Sequence, residues 1–450
     1  MSRTFRGLFA RTYASLRERF VFKFSLRTTL LVGTAVRLLL MPFTAHPFDV
    51  YVWYVYCMDV LRHGFDFSVL KSVNPLWFLT LTPIAFVYGV LSSATGWGAT
   101  AVDALPASFN PHYGIAWVPG PLFNTLVKVP MLITDAATTV VIYKLVAQFW
   151  GREKARMAAM VFFLNPAVIW ISSAWGQYDS IPAFFTVLSL FYLVEKRLIC
   201  SSLSLLIATL FKIYPIAFLI PISVYLFKRE SIGNLVRFLS TFLVPASLGL
   251  IFYSSSLMTF VQGFFSTDTF YGIFGFGLTY WSVSLLYPLD VETFRFISIG
   301  LMIILFSISL YYICREKYDD KLRGLTISAI LLAASMFLSI RYPTEQRVVW
   351  LVPFMAIAVS GGYISEKMFW ALSMISFTYM QKTFPQYLLP VAALNVNAFL
   401  PLFQIITPFR IVTEGALMPS PASAAILSIL GILFSLLVFK ICLRLLNVIG

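Results

Sequence analysis

Apolar runs of roughly 20 residues recur from about residue 28 to the far end of this 450-residue chain, and that repetition is its strongest constraint. A run of that length is what a helix needs to cross the roughly 30 Å hydrocarbon layer of a bilayer. It is too long for strands. Within lipid every backbone N–H and C=O has to be satisfied inside the protein, which leaves helices as the spanning element for such runs. Composition agrees: 59% of the residues are hydrophobic and 12% charged, against about 45–50% and about 25% in soluble domains. The fold class expected is therefore all-α, a polytopic transmembrane helical bundle of about 12 spans, within a range of about 11 to 13.

The net charge of +14 does not indicate a nucleic-acid partner, because the basic residues sit in short connections between apolar runs. They read as the cytoplasmic bias that orients membrane proteins. Residues 1–27 carry Arg3, Arg6, Arg11, Arg17, Arg19, Lys23 and Arg27 with Phe5, Phe9 and Leu16 between them, the pattern of a basic amphipathic helix on the cytoplasmic membrane surface. Residues 28–450 form one transmembrane domain. Basic connections placed inside leave three long extracytoplasmic segments: 46–120, whose apolar stretch Leu76 to Leu91 is expected to be interfacial or re-entrant; the aromatic and Gly-rich 255–293; and the Pro-rich 383–421. Both termini come out cytoplasmic. Cys57, Cys200, Cys314 and Cys442 lack paired spacing and give neither a disulfide framework nor a metal site.

This topology gathers the unusual polar residues on the extracytoplasmic face: Asp49, the island from Trp175 through Gly176, Gln177 and Tyr178 to Asp179, then Lys212, Arg341, Glu345 and Arg347. An ionisable residue at the end of a span, outside the orienting signal, is a functional candidate, since burying one in lipid costs at least about 2.5 kcal/mol. No Walker loop, dinucleotide turn, CxxC pair or HExxH helix is present, so nucleotide hydrolysis, redox chemistry and zinc proteolysis lack support. A carboxylate, several cations and many aromatics remain. A carboxylate can take a proton from an acceptor hydroxyl while cations stabilise an anionic leaving group, and Trp and Tyr faces suit sugar rings at the lipid interface. Glycosyl transfer from a membrane-carried sugar phosphate uses those parts.

The run Asn165-Pro166-Ala167-Val168-Ile169, followed by Ser173-Ala174-Trp175-Gly176-Gln177-Tyr178-Asp179-Ser180, resembles a span junction in prokaryotic mannosyltransferase-like proteins related to the second GPI mannosyltransferase, members of the C-type (GT-C) superfamily of integral membrane glycosyltransferases. Four further segments agree in order: His46-Pro47-Phe48-Asp49 with Tyr51 and Trp53; Lys128-Val129-Pro130 with Asp135; Leu210-Phe211-Lys212-Ile213-Tyr214-Pro215; and Glu345-Gln346-Arg347 before Pro353. The second and third of these are also similar to dolichyl-phosphate-glucose-dependent glucosyltransferases. The resemblance implies an inverting single displacement, Asp49 as catalytic base, and a polyprenyl- or dolichyl-phosphate sugar as donor. The acceptor is expected to be a lipid-linked glycan, glycolipid or protein, with membrane lipids as the other partners, and the resemblance implies no obligatory nucleotide. Related proteins carry a His-Glu-Arg-Tyr type run where this chain has Thr344-Glu345-Gln346-Arg347-Val348.

Each assignment has a structural alternative. Asp49 is expected as base, or as the cap of the helix that begins at Val50. Trp175, Gln177, Tyr178 and Asp179 are expected to line the substrate site, although Asp179 could equally cap the next helix. Lys212, Arg341 and Arg347 are expected to hold the lipid phosphate, with snorkelling to headgroups as the alternative and Glu345 as the ion-pair partner of the arginines. Asp135, within a span, reads as a partnered structural acid. His46, His63 and His112 share the first long loop with Asp49, a poor spacing for a divalent metal. A transporter would have a similar number of spans, but it is expected to show internal repeats and midplane charges that this chain lacks. A lipid flippase would tolerate loss of Asp49.

Overall fold

The computed structural model describes residues 25–66, 68, 74–95, 98–105, 115–247, 277–287, 291–339, 344–381, 386–395, 397–401 and 421–449. The basic segment before residue 25, Arg341, His112 and most of the aromatic 255–293 and Pro-rich 383–421 segments lie outside them.

The described chain is mostly helical. Helix α1 (Leu26–Leu40) is followed by α2 (Pro47–His63) and α3 (Pro75–Thr95). A two-residue antiparallel ladder, β1 (Thr100–Ala101) with β2 (Trp117–Val118), is the sole strand pairing among the described residues and a small departure from the all-α expectation. Then come α4 (Pro121–Trp150), α5 (Arg152–Phe163), α6 (Pro166–Trp175), α7 (Ser180–Val194), α8 (Leu198–Phe211), α9 (Leu219–Arg229) and α10 (Ile232–Ser247). Helices α11 (Val291–Arg315), α12 (Lys321–Ser339), α13 (Val352–Ser360), α14 (Glu366–Met380) and α15 (Pro421–Ile449) complete it.

Five of the described helices, α3, α4, α11, α12 and α15, are long and apolar enough to cross a membrane, or six if α5 and α6, bent by 45°, make one span. Helices α7, α8 and α10 are apolar but shorter. The stretch expected to be interfacial, Leu76 to Leu91, lies in the 21-residue α3, whose length is that of a span. Helix α12 is the buried post of the bundle, with 89% of its apolar window covered, whereas α11 has 11% covered and presents Phe296, Ile303 and Ile304 outward.

Local sequence explains the breaks that matter. Asn165 caps α6 by accepting from Ala167 N at 2.9 Å and Val168 N at 3.3 Å, and its amide reaches Ser373 at 2.7 Å. The last turn, Trp170–Trp175, is π-helical and closes at Gly176, whose φ of 89° is open to glycine and strained for other residues. The N–H groups of Gly176 and Gln177 both donate to Ile171 O, at 3.1 and 2.9 Å. A widened turn of this kind re-aims the side chains that follow it.

Deep in the bundle, Arg37 of α1 donates to Asp135 of α4 through Nε at 3.1 Å and approaches it through Nη2 at 3.0 Å, with both side chains buried. Its Nη1 reaches Phe163 O at 2.9 Å. Asp135 is thus a partnered structural acid joining α1, α4 and α5.

Candidate functional site

Asp49 stands in the first turn of α2. The cap is His46: its Nδ1 accepts the Asp49 N–H at 3.3 Å, and Pro47 takes the first helical position. The alternative in which Asp49 itself caps the helix is therefore excluded. The same Nδ1 lies 3.4 Å from Asp49 Oδ2.

With its backbone fixed, Asp49 is clamped through one oxygen. Trp175 Nε1 donates to Oδ2 at 2.6 Å and Gln177 Nε2 donates to the same atom at 2.8 Å. The π-turn and Gly176 bring both donors to one side. His46 stacks on Trp175, with ring centroids 4.8 Å apart and planes 17° apart, and Tyr387 meets both rings edge-on. A backbone bond from His46 N to Trp175 O at 3.0 Å ties the two segments. Among the described residues no hydrogen bond holds Oδ1, and the Asp49 side chain is 23% exposed.

A second carboxylate is tied differently. Asp179 occupies the cap position of α7 without capping it. It is fully buried, with Oδ2 accepting from Lys212 Nζ at 2.7 Å and Oδ1 from Trp350 Nε1 at 2.8 Å. Trp350 stacks on Tyr214, centroids 3.7 Å apart, and the Arg347 guanidinium lies over the Trp350 ring at 5.4 Å. Lys212 terminates α8 and keeps 21% of its side chain exposed. Glu345 is buried in the turn that carries Arg347 and Trp350.

Tyr178 joins the halves. Its ring stacks on Trp77 at 4.5 Å, meets Trp53 edge-on at 6.0 Å and lies under Lys212 Nζ at 5.1 Å. Burial raises the pKa of its phenol, and the negative charges of Asp179 and Asp49 raise it further. The hydroxyl is therefore a neutral donor at physiological pH.

The structure thus gathers Asp49 with Trp175 and Gln177, and Asp179 with Lys212, Trp350 and Arg347, around Tyr178; Arg341 falls outside the described residues. His63 pairs with Asp59 at 2.7 Å rather than approaching Asp49, and among the described residues no three His, Cys, Asp or Glu side chains gather to hold a metal. Sequence reading missed Trp350 and the stacking role of His46. An interfacial Trp five residues beyond Glu345 was the available signal for Trp350, and the His-Pro pair before an acidic residue was the signal for His46.

A model of glycosyltransferase family 87 matches residues 106–340, just over half of the chain. GPI mannosyltransferase 1 of Kluyveromyces lactis is 34% identical over 126 residues, 28% of this chain and 30% of that protein. The Saccharomyces cerevisiae protein of the same name is 33% identical over 103 residues, 23% of this chain and 25% of that one. The chain thus spans under a third of the length of these curated relatives, which carry the name of the first GPI mannosyltransferase where the sequence resemblance was drawn to the second. Among solved structures, ArnT from Cupriavidus metallidurans bound to undecaprenyl phosphate is 12% identical with a TM-score of 0.46, covering 93% of this chain and 76% of that one. With more than half of its length matched by the family model, and with membrane-length apolar helices around a clamped carboxylate, the chain belongs to glycosyltransferase family 87.

Proposed function

We propose that this protein is an inverting glycosyltransferase that moves a hexose, mannose first and glucose second, from a polyprenyl- or dolichyl-phosphate donor to a lipid-linked or other extracytoplasmic acceptor. The observation that carries the reading is the clamp on Asp49: two neutral donors fix one carboxylate oxygen while the partly exposed side chain keeps the other available. Family membership supplies the reaction class, and the names of the relatives favour mannose.

In the proposed step the acceptor hydroxyl oxygen attacks the anomeric carbon as Asp49 takes its proton. A C–O bond forms to the acceptor, the bond from the anomeric carbon to the phosphate oxygen breaks, and the lipid phosphate leaves with the electron pair. Lys212, Arg347 and Arg341 hold that phosphate and stabilise the charge developing on it. Asp179 keeps Lys212 in place, and Nζ retains two protons for the phosphate. Trp175, Gln177 and Tyr178 form the wall against which sugar and acceptor lie. The active site faces the extracytoplasmic side of a bundle of about 12 spans, with both termini cytoplasmic.

The test is transfer of labelled sugar by the purified protein from polyprenyl-phosphate mannose and, in parallel, polyprenyl-phosphate glucose. Asp49→Asn is expected to cut the rate by about 10²- to 10⁴-fold with the donor still bound. An undiminished rate in that variant rules out Asp49 as base, and no transfer from either donor overturns the whole assignment.

A further inference from the structure

Lys128, in the first third of α4, is fully buried and meets no carboxylate among the described residues. Its Nζ donates to three backbone carbonyls, those of Met41 at 3.1 Å, Thr44, and Ala174 at 3.4 Å. An ammonium offers one proton to each of three carbonyl oxygens and a neutral amine serves two of them. A buried lysine without a counter-ion among the described residues is costly to place, and the position of its three acceptors gives the reason for it here. Met41 and Thr44 end just before His46 and Asp49, and Ala174 directly precedes Trp175. The stem of the same side chain packs behind the turn: a methyl group on Gly176 would lie 2.8 Å from Lys128 Cε and 3.2 Å from Val50 Cγ2. Lys128 therefore touches, from behind, both strips of chain whose front faces make the Asp49 clamp.

We propose that Lys128 is a positioning residue, its Nζ clasping residues 41–44 to Ala174 so that Asp49 meets Trp175 and Gln177 in register for proton removal. The catalytic part of this inference rests on the reading of Asp49 as base; the clasp does not. Loss of the clasp leaves α2 and the end of α6 joined by the His46–Trp175 backbone bond and the clamp itself, which then open together. Donor binding lies on the Lys212 side and is unaffected.

The experiment uses the full chain purified in detergent, comparing Lys128→Met, which keeps the length but no donor, with Lys128→Gln, which keeps two. Lys144→Met, an exposed lysine on the same helix, is the control. Lys128→Met is expected to lower kcat about 10- to 100-fold with the KM for polyprenyl-phosphate mannose within about 2-fold. Lys128→Gln is expected to recover part of the loss, and Lys144→Met to match wild type. Hydrogen–deuterium exchange reads the clasp without any substrate: faster exchange in 45–50 and 174–178 of Lys128→Met, with α12 and α13 unchanged, is the expected result. Unchanged exchange in both segments overturns the clasp, and faster exchange throughout the chain overturns it in favour of general support of the fold. If wild type transfers sugar from no lipid phosphate, Asp49 is not the base, and the exchange result still decides the clasp.

Discussion

The two carboxylates of the site differ in what they have left to give. Asp179 spends both oxygens on Lys212 and Trp350 and is fully buried, whereas Asp49 spends one and is partly exposed. The sequence singled out both acids but could not rank them by geometry, because Trp350 lies 171 positions from Asp179 and nothing in the spacing joins them. Tyr178 permits a test at this scale. Its phenol pKa is raised in the folded state by burial first and the two carboxylates second, so the folded form holds its proton where the unfolded chain releases it. Stability is therefore full below the ordinary phenol value of about 10 and falls as pH rises beyond it. Thermal unfolding in detergent is expected to show this alkaline loss, reduced in Tyr178→Phe. In the same variant the alkaline limb of the transfer rate, measured below about pH 10, should stay where wild type has it.

At the scale of elements, the helices around the site were legible wherever an apolar run ended at a charge or at a glycine with positive φ. The apolar runs 121–147 and 181–194 lie within α4 and α7. The π-turn at Trp170–Trp175 was not legible: it follows a cap at Asn165, whose amide donates to Ser373 of α14, 208 positions away. The stretch Leu76 to Leu91, expected to be interfacial or re-entrant, lies in one helix, α3, which continues through Pro83. The Arg37–Asp135 pair gives this scale its prediction. Arg37→Met leaves a buried carboxylate unpaired and is expected to destabilise the protein by about 3–5 kcal/mol. Arg37→Met combined with Asp135→Leu, which removes both charges, should recover most of that loss in thermal unfolding. Equal loss in the single and double variants rules out an uncompensated charge as the cause.

For the whole molecule, charge bias predicts an orientation and hydropathy points to the membrane, but neither sets the distance between parts of the site. Orientation is open to a direct check with native residues. Cys200 and Cys314 are exposed and adjoin the basic connections at Arg197 and Arg315. A membrane-impermeant maleimide is expected to label them in permeabilised cells and to spare them in intact ones; labelling in intact cells reverses the proposed topology. The wide sequence separations within the site also order its making. The Asp49 clamp closes across 126 and 128 positions, and both of its donors lie at or before Gln177. Asp179 finds Lys212 only 33 positions on but waits for Trp350, 171 positions away. At about 5–20 residues per second of synthesis, Gln177 is made about 9–35 s before Trp350. In that interval the nascent chain already carries Asp49 and both of its donors, while one of the two partners of Asp179 is still unmade.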